Sequence, residues 1–179
     1  SLRVRLRTDA GRDLTGGILV ARSAGSPDWV GAAEADGSYR VDQVWAGRDL
    51  QLAAIGFGVL RAAPVVRIAS HGQTLDVTWP APDQGSIQGT VVGADGKPAP
   101  GAGVFLDGSG HQATDAAGTY SFGAVTTGSL HTVRAEGAGS SPEWVAVQAQ
   151  VAADGESKVV DLRLPGTGTV RVTTQDRHG

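Results

Sequence analysis

Residues 85–122 read Gly85-Ser86-Ile87-Gln88-Gly89-Thr90-Val91-Val92, then Asp95-Gly96-Lys97-Pro98, then Pro100-Gly101-Ala102-Gly103-Val104-Phe105-Leu106, then Thr114-Asp115 and Gly118-Thr119-Tyr120-Ser121-Phe122. Ile87, Gly89 and Val91 alternate with Ser86, Gln88 and Thr90, the two-residue period of a half-buried strand. Asp95-Gly96 is a turn dipeptide, because glycine accepts a positive φ without steric cost. Pro98 and Pro100 exclude a helix and favour an extended crossing. Val104-Phe105-Leu106 is a second strand. Gly118 turns the chain into a third, on which Tyr120 and Phe122 share one face. Gly89 sits at an inward position, so a neighbouring ring, Phe105 or Tyr120, is expected to pack over it.

This stretch resembles the carboxypeptidase regulatory-like domain, a small β-sandwich of the transthyretin (prealbumin-like) type. The resemblance rests on Asp95-Gly96, on Pro98 to Val104, on Thr114 to Phe122 and on the following Gly128. It implies a fold and leaves function open, since such modules are joined to many unrelated proteins.

Outward from this stretch, the first half of the chain repeats the second. Gly37-Ser38-Tyr39-Arg40-Val41 matches Gly118 to Phe122 at an offset of 81 residues (118 − 37), and Gly47 matches Gly128 at the same offset. Leu2, Val4 and Leu6, ending at Gly11, match Ile87, Gly89 and Val91, ending at Gly96, at an offset of 85 (87 − 2). Leu75 to Pro80 matches Val160 to Pro165, again at 85 (160 − 75). A drifting offset is what loop insertions in a tandem array produce. The expected fold class is therefore all-β: two tandem Ig-like, prealbumin-like β-sandwich modules over residues 1–82 and 83–166, and a further strand over 167–179. Pro80-Ala81-Pro82 is read as an extended, semi-rigid joint. Expected strands in the first repeat are Leu2–Thr8, Gly17–Arg22, Trp29–Glu34, Ser38–Val41, Asp49–Ala54, Pro64–Ile68 and Thr74–Trp79. In the second they are Ser86–Val92, Gly103–Asp107, Gln112–Asp115, Tyr120–Phe122, His131–Glu136, Val145–Val151 and Lys158–Leu164.

The tail continues the pattern. Val170, Val172 and Thr174 align with Leu2, Val4 and Leu6 at 168 (170 − 2), and with Ile87, Gly89 and Val91 at 83 (170 − 87). They are expected to form the first strand of a third module or an inter-subunit strand, because a lone strand leaves its backbone groups unpaired.

Composition narrows the function classes. The 179 residues include 27 glycines and 5% aromatics, which suits short strands and tight turns better than a helical bundle. Cysteine is absent, which excludes a disulfide framework and a thiolate metal site. The net charge is -3 without a basic block, which argues against a nucleic-acid partner. No stretch approaches the length of apolar sequence that crosses a bilayer, so membrane insertion is not expected. Abundant Ala, Gly, Asp and Val, with Arg in place of Lys, read as the coding bias of a GC-rich bacterium.

Four tryptophans raise the reading of a sugar-binding surface. Trp79 alternates with Leu75 and Val77 and is expected in the core. Trp29, Trp45 and Trp144 are the candidate binding or interface residues, against the plainer reading that they anchor loops. The aspartates cluster at turns, where their side chains bond their own backbone. No Asp-x-Asp-x-Asp-Gly spacing for calcium occurs. His71, His111, His131 and His178 are scattered, so no zinc site, no other cofactor and no catalytic residue is expected. Gly108-Ser109-Gly110 reads as a hairpin loop and not a nucleophile elbow.

The resulting expectation is a non-catalytic structural or assembly module of a longer bacterial repeat protein, at the cell surface, extracellular or periplasmic. Its partners are neighbouring modules of the same chain or adjacent copies. The alternatives are a carbohydrate-binding accessory module beside a catalytic domain, with a glycan as partner, and an adhesin contact domain.

Overall fold

The computed structural model describes residues 1–57, 60–138, 143–166 and 171. Val170, Val172 and Thr174 lie outside the described residues. Every element assigned is a strand: β1 (Leu2–Thr8), β2 (Ile18–Arg22), β3 (Trp29–Val30), β4 (Ala32–Ala33), β5 (Tyr39–Val41), β6 (Asp49–Ile55), β7 (Val65–Arg67), β8 (Leu75–Ala81), β9 (Gln84–Val92), β10 (Gly103–Leu106), β11 (Gly110–Ala113), β12 (Thr119–Thr126), β13 (Leu130–Glu136), β14 (Trp144–Gln150), β15 (Ser157–Val159) and β16 (Leu162–Arg163). The all-β expectation holds.

In the first repeat one sheet has the order β4-β5-β1-β8 and the other β3-β2-β6-β7. Period-two alternation puts Leu2, Val4 and Leu6 of β1 on one inner face, and Leu19, Ala21, Leu50 and Leu52 of β2 and β6 on the other. These residues join Tyr39, Val41, Phe57, Ile68, Trp79 and Ala81 in one buried cluster. Two sheets closing on a shared core make a sandwich. Trp79 is in that core as expected, with its indole N–H donating to the Arg61 carbonyl at 3.3 Å.

Trp29–Glu34 does not run as one strand. It breaks at Gly31: β3 pairs with β2, and β4 pairs with β5 of the other sheet. A Cβ at Gly31 would sit 3.3 Å from both Leu19 Cβ and Val41 Cγ2, one from each sheet. The chain therefore changes sheets at the residue that lets both side chains close in. The joint reading also changes. Strand β8 includes Pro80 and Ala81, in parallel register with Arg7 and Thr8 of β1. Proline is tolerated because β8 is an edge strand and loses no ladder bond there.

The second repeat has sheets of order β11-β10-β13-β14 and β12-β9-β15, with β16 also pairing β9. Lys158–Leu164 divides into β15 and β16, interrupted at Val160-Asp161. The described residues gather into two compact units. One comprises Ser1–Ile87, Phe122–Leu130 and Gln150–Lys158; the other comprises Gln88–Ser121, His131–Ala149 and the described residues from Val159 onward.

The repeat recurs bond by bond. Leu14 N–H donates to Leu6 O at 2.8 Å, and Ala99 N–H to Val91 O at 2.9 Å. Gly31 to Leu19 is matched by Thr114 to Ala102, Gly37 to Glu34 by Gly118 to Asp115, and Gly47 to Ile68 by Gly128 to Val151. Both repeat tyrosines are buried, Tyr39 and Tyr120 alike.

Candidate functional site

The three candidate tryptophans do not converge. Trp29 is half-buried and packs on the core of the first repeat. Its ring meets Trp45 edge-to-face, with centroids 5.7 Å apart. Trp45 is 46% exposed, and the Arg48 guanidinium stands 4.8 Å from its ring centroid. Trp144 is 62% exposed and lines a shallow groove with Ala94, Arg163 and Pro165. Sequence spacing gave no sign of the Trp29–Trp45 contact, which crosses from β3 to the turn after β5.

A polar groove in the second unit is lined by Gln88, Thr90, Gln112, Thr119, Tyr120 and Asp161 among others. Its floor is built around Gly89. The interruption at Val160-Asp161 turns the Val160 carbonyl toward the Tyr120 hydroxyl, which donates to it at 2.6 Å. The Asp161 carboxylate supplies the acceptor for the Thr90 N–H at 2.9 Å and the Thr90 hydroxyl at 2.8 Å. A Cβ at Gly89 would fall inside the contact distance of the Val160 oxygen and 3.2 Å from the Tyr120 hydroxyl. Of the two rings expected over Gly89, it is therefore Tyr120 that packs there. Burial, helped by the Asp161 charge, pushes the Tyr120 hydroxyl up to about 12.

The carboxylates are committed to local structure. Asp154 accepts from Arg12 Nε at 2.8 Å and Arg12 Nη2 at 2.7 Å, from Thr8 Oγ1 at 3.0 Å and from the Gln84 N–H at 3.0 Å. The Arg12 bonds, then the Gln84 and Thr8 bonds, hold it at about 2. All four residues belong to the first unit. Asp36 is likewise held at about 2, first by the Ser38 hydroxyl and then by the Ser38 N–H. At Asp107 burial works to raise the carboxyl, but His131 and the Thr132 N–H outweigh it and hold it below the usual range. His131 Nδ1 lies 2.7 Å from Asp107 Oδ2. Among the described residues no group of three or more His, Asp or Glu converges as a metal site would. Among the described residues no helix is long and apolar enough to cross a membrane.

The paired sheets, the repeat and the tyrosine lock define a tandem β-sandwich protein. Residues 86–165 match the model of the carboxypeptidase regulatory-like domain. In structure the chain is similar to the Bacillus anthracis TIE protein, with 13% identity, TM-score 0.39, and coverage of 90% of this chain and 33% of that one. It is similar to a Streptococcal ancillary pilin, with 11% identity, TM-score 0.40, and coverage of 93% and 62%. It is also similar to the shaft pilin spaA from Lactobacillus rhamnosus GG, with 9% identity, TM-score 0.38, and coverage of 94% and 98%. The chain thus spans about one third of the first of these proteins and less than two thirds of the second. No curated protein matches it in sequence.

Proposed function

We propose that this chain is a non-catalytic spacer and assembly element of a bacterial surface or secreted protein, with residues 1–82 and 83–166 as its repeating modules. The observation that carries this reading is the use made of its carboxylates. Asp36, Asp115, Asp154 and Asp161 each accept bonds from neighbouring hydroxyl, guanidinium or backbone donors. A carboxylate held ionised by such donors ties a turn; it is not poised to exchange a proton near neutral pH. The match of residues 86–165 to the carboxypeptidase regulatory-like domain agrees with this. The test replaces residues 83–166 of the native protein with a flexible linker of equal length. The expected result is a shorter, softer reach in electron micrographs. A catalytic turnover that disappears with residues 83–166 overturns the reading.

The partners we propose are adjacent modules or adjacent copies, met through residues 167–179. The alignment of Val170, Val172 and Thr174 with the first strands of both repeats supports this. Those residues either open a third module or add a strand to a neighbouring copy. Mass measurement of the native polypeptide decides between them, together with polymerisation assays of chains with and without residues 168–179. A much longer native chain that stays monomeric removes strand donation. Polymerisation that requires residues 168–179 removes the third module.

A further inference from the structure

At one end of the first repeat lies a cleft whose backbone the second repeat shares and whose side chains it does not. Gln43 and Ala124, 81 residues apart (124 − 43), both take a positive φ, 57° and 56°. Gly47 and Gly128 make the matching turn bonds. Where the second repeat carries Ala124, Thr126 and Asp154, the first carries Gln43, Trp45 and His71, at offsets of 81 and 83 (126 − 45 and 154 − 71), the second offset being that of the turn bonds Gln73 N–H to Ser70 O and Glu156 N–H to Ala153 O. The turn itself therefore requires none of the three side chains.

The cleft has a volume of ≈ 440 Å³, and Gln43, Trp45, Ser70, His71 and Gln73 line it. That size suits a small ligand. Trp29 and Arg48 brace the Trp45 indole, so it is placed before anything binds, which lowers the ordering cost of binding. Gln73 Oε1 accepts from the Ala69 and Ser70 N–H groups at 2.9 and 3.3 Å, which leaves the NH2 group unused. Among the described residues the Gln43 amide and the His71 imidazole make no hydrogen bond.

We propose that this cleft binds a neutral pyranose glycan. The exposed indole supplies an apolar wall for the C–H face of a sugar ring. Gln43, His71 and Gln73 bond its hydroxyls, because amide and neutral imidazole groups donate and accept as hydroxyls do. Apart from the Ser1 amino group, which donates to the Gln73 carbonyl at 2.8 Å, the lining contains no carboxylate, lysine or arginine, which fits an uncharged ligand better than a phosphorylated or sulfated one. The proposal goes beyond the spacer role and uses none of the residues removed in the test of that role.

The test titrates the whole chain with neutral oligosaccharides of glucose, galactose, mannose and N-acetylglucosamine, read by indole fluorescence and calorimetry. The expected result is saturable binding of at least one of them. Trp45→Ala should weaken it at least about tenfold, and Gln43→Ala or His71→Ala at least about threefold, with Val147→Ala, at an exposed position of the second unit, as an unaffected control. Gln43→Ala installs the residue that the second repeat already carries at that backbone conformation. It keeps the test open if Trp45→Ala fails to fold. No saturable binding to any member, or binding unchanged in the cleft variants that fold, overturns the proposal.

Discussion

The Tyr120 hydroxyl donates to the Val160 carbonyl at 2.6 Å, whereas its repeat counterpart Tyr39 is buried with its hydroxyl unpaired. Tyr39 instead packs edge-on against Phe57, with centroids 5.6 Å apart. The same ring position thus serves as a hydrogen-bonded lock in one repeat and as plain packing in the other. Tyr120→Phe leaves a buried carbonyl unpaired and should cost about 1–3 kcal/mol, while Tyr39→Phe removes an unpaired hydroxyl and should be neutral or stabilising. Urea midpoints at unchanged slope measure both; equal losses would refute the asymmetry.

Tyr120 should titrate near 12, because burial and the Asp161 charge both oppose the phenolate. The folded pKa lies above the unfolded one, so this contribution is fully present below about 10 and is lost as pH rises toward 12. Phenolate absorbance followed with stability across that window checks it. A Tyr120 that titrates near 10 in the folded protein would show that the lock is open.

Gly89→Ala should cost at least about 2 kcal/mol, because the new methyl group meets the Val160 oxygen and forces the lock apart. Gly123→Ala is the control, with nothing within 4 Å of its Cβ. Thermal melts of the two variants should differ clearly, with the Gly123 variant near the parent.

Asp154→Asn should destabilise the first unit by about 2–4 kcal/mol, since it leaves the Arg12 guanidinium without its anion. The parent carboxyl is depressed to about 2. Its contribution is therefore present above about pH 4 and is lost as pH falls through 2. Acid melting curves of parent and variant should converge over that interval. Curves that stay parallel would remove Asp154 from the acid response.

Trp29→Ala should cost about 2–3 kcal/mol, because half of this side chain packs on the core of the first repeat. Trp144→Ala, at a 62% exposed edge position, should change stability by less than about 1 kcal/mol. Chemical denaturation separates the two.

Strand positions were legible in the sequence because alternation and turn chemistry are local. Leu2–Thr8 is a strand over its whole expected span, and Asp36-Gly37 turns the chain into β5 where the repeat register puts it. Tyr39 and Tyr120 are buried because the Gly-x-Tyr register sets which face each ring takes. The candidate site was legible only in part. Trp45 stands out in the sequence as a candidate binding or interface residue, but its neighbours Gln43, His71 and Gln73 carry no local signal. They are up to 30 residues apart (73 − 43), and only the folding of two turns onto one end of the sandwich brings them together.

By itself the sequence determined that this is an all-β chain, that it repeats, and that its second repeat carries the marks of the carboxypeptidase regulatory-like domain. Periodicity and turn residues act over a few positions and need no partner to be read. The tertiary structure alone decided that the chain changes sheets at Gly31, that Val160-Asp161 breaks a strand to face Tyr120, and that Arg12 meets Asp154 across 142 residues. Each depends on sheet register and on which backbone groups are left without a partner once the strands have paired, a quantity with no value until residues far apart in the chain stand side by side.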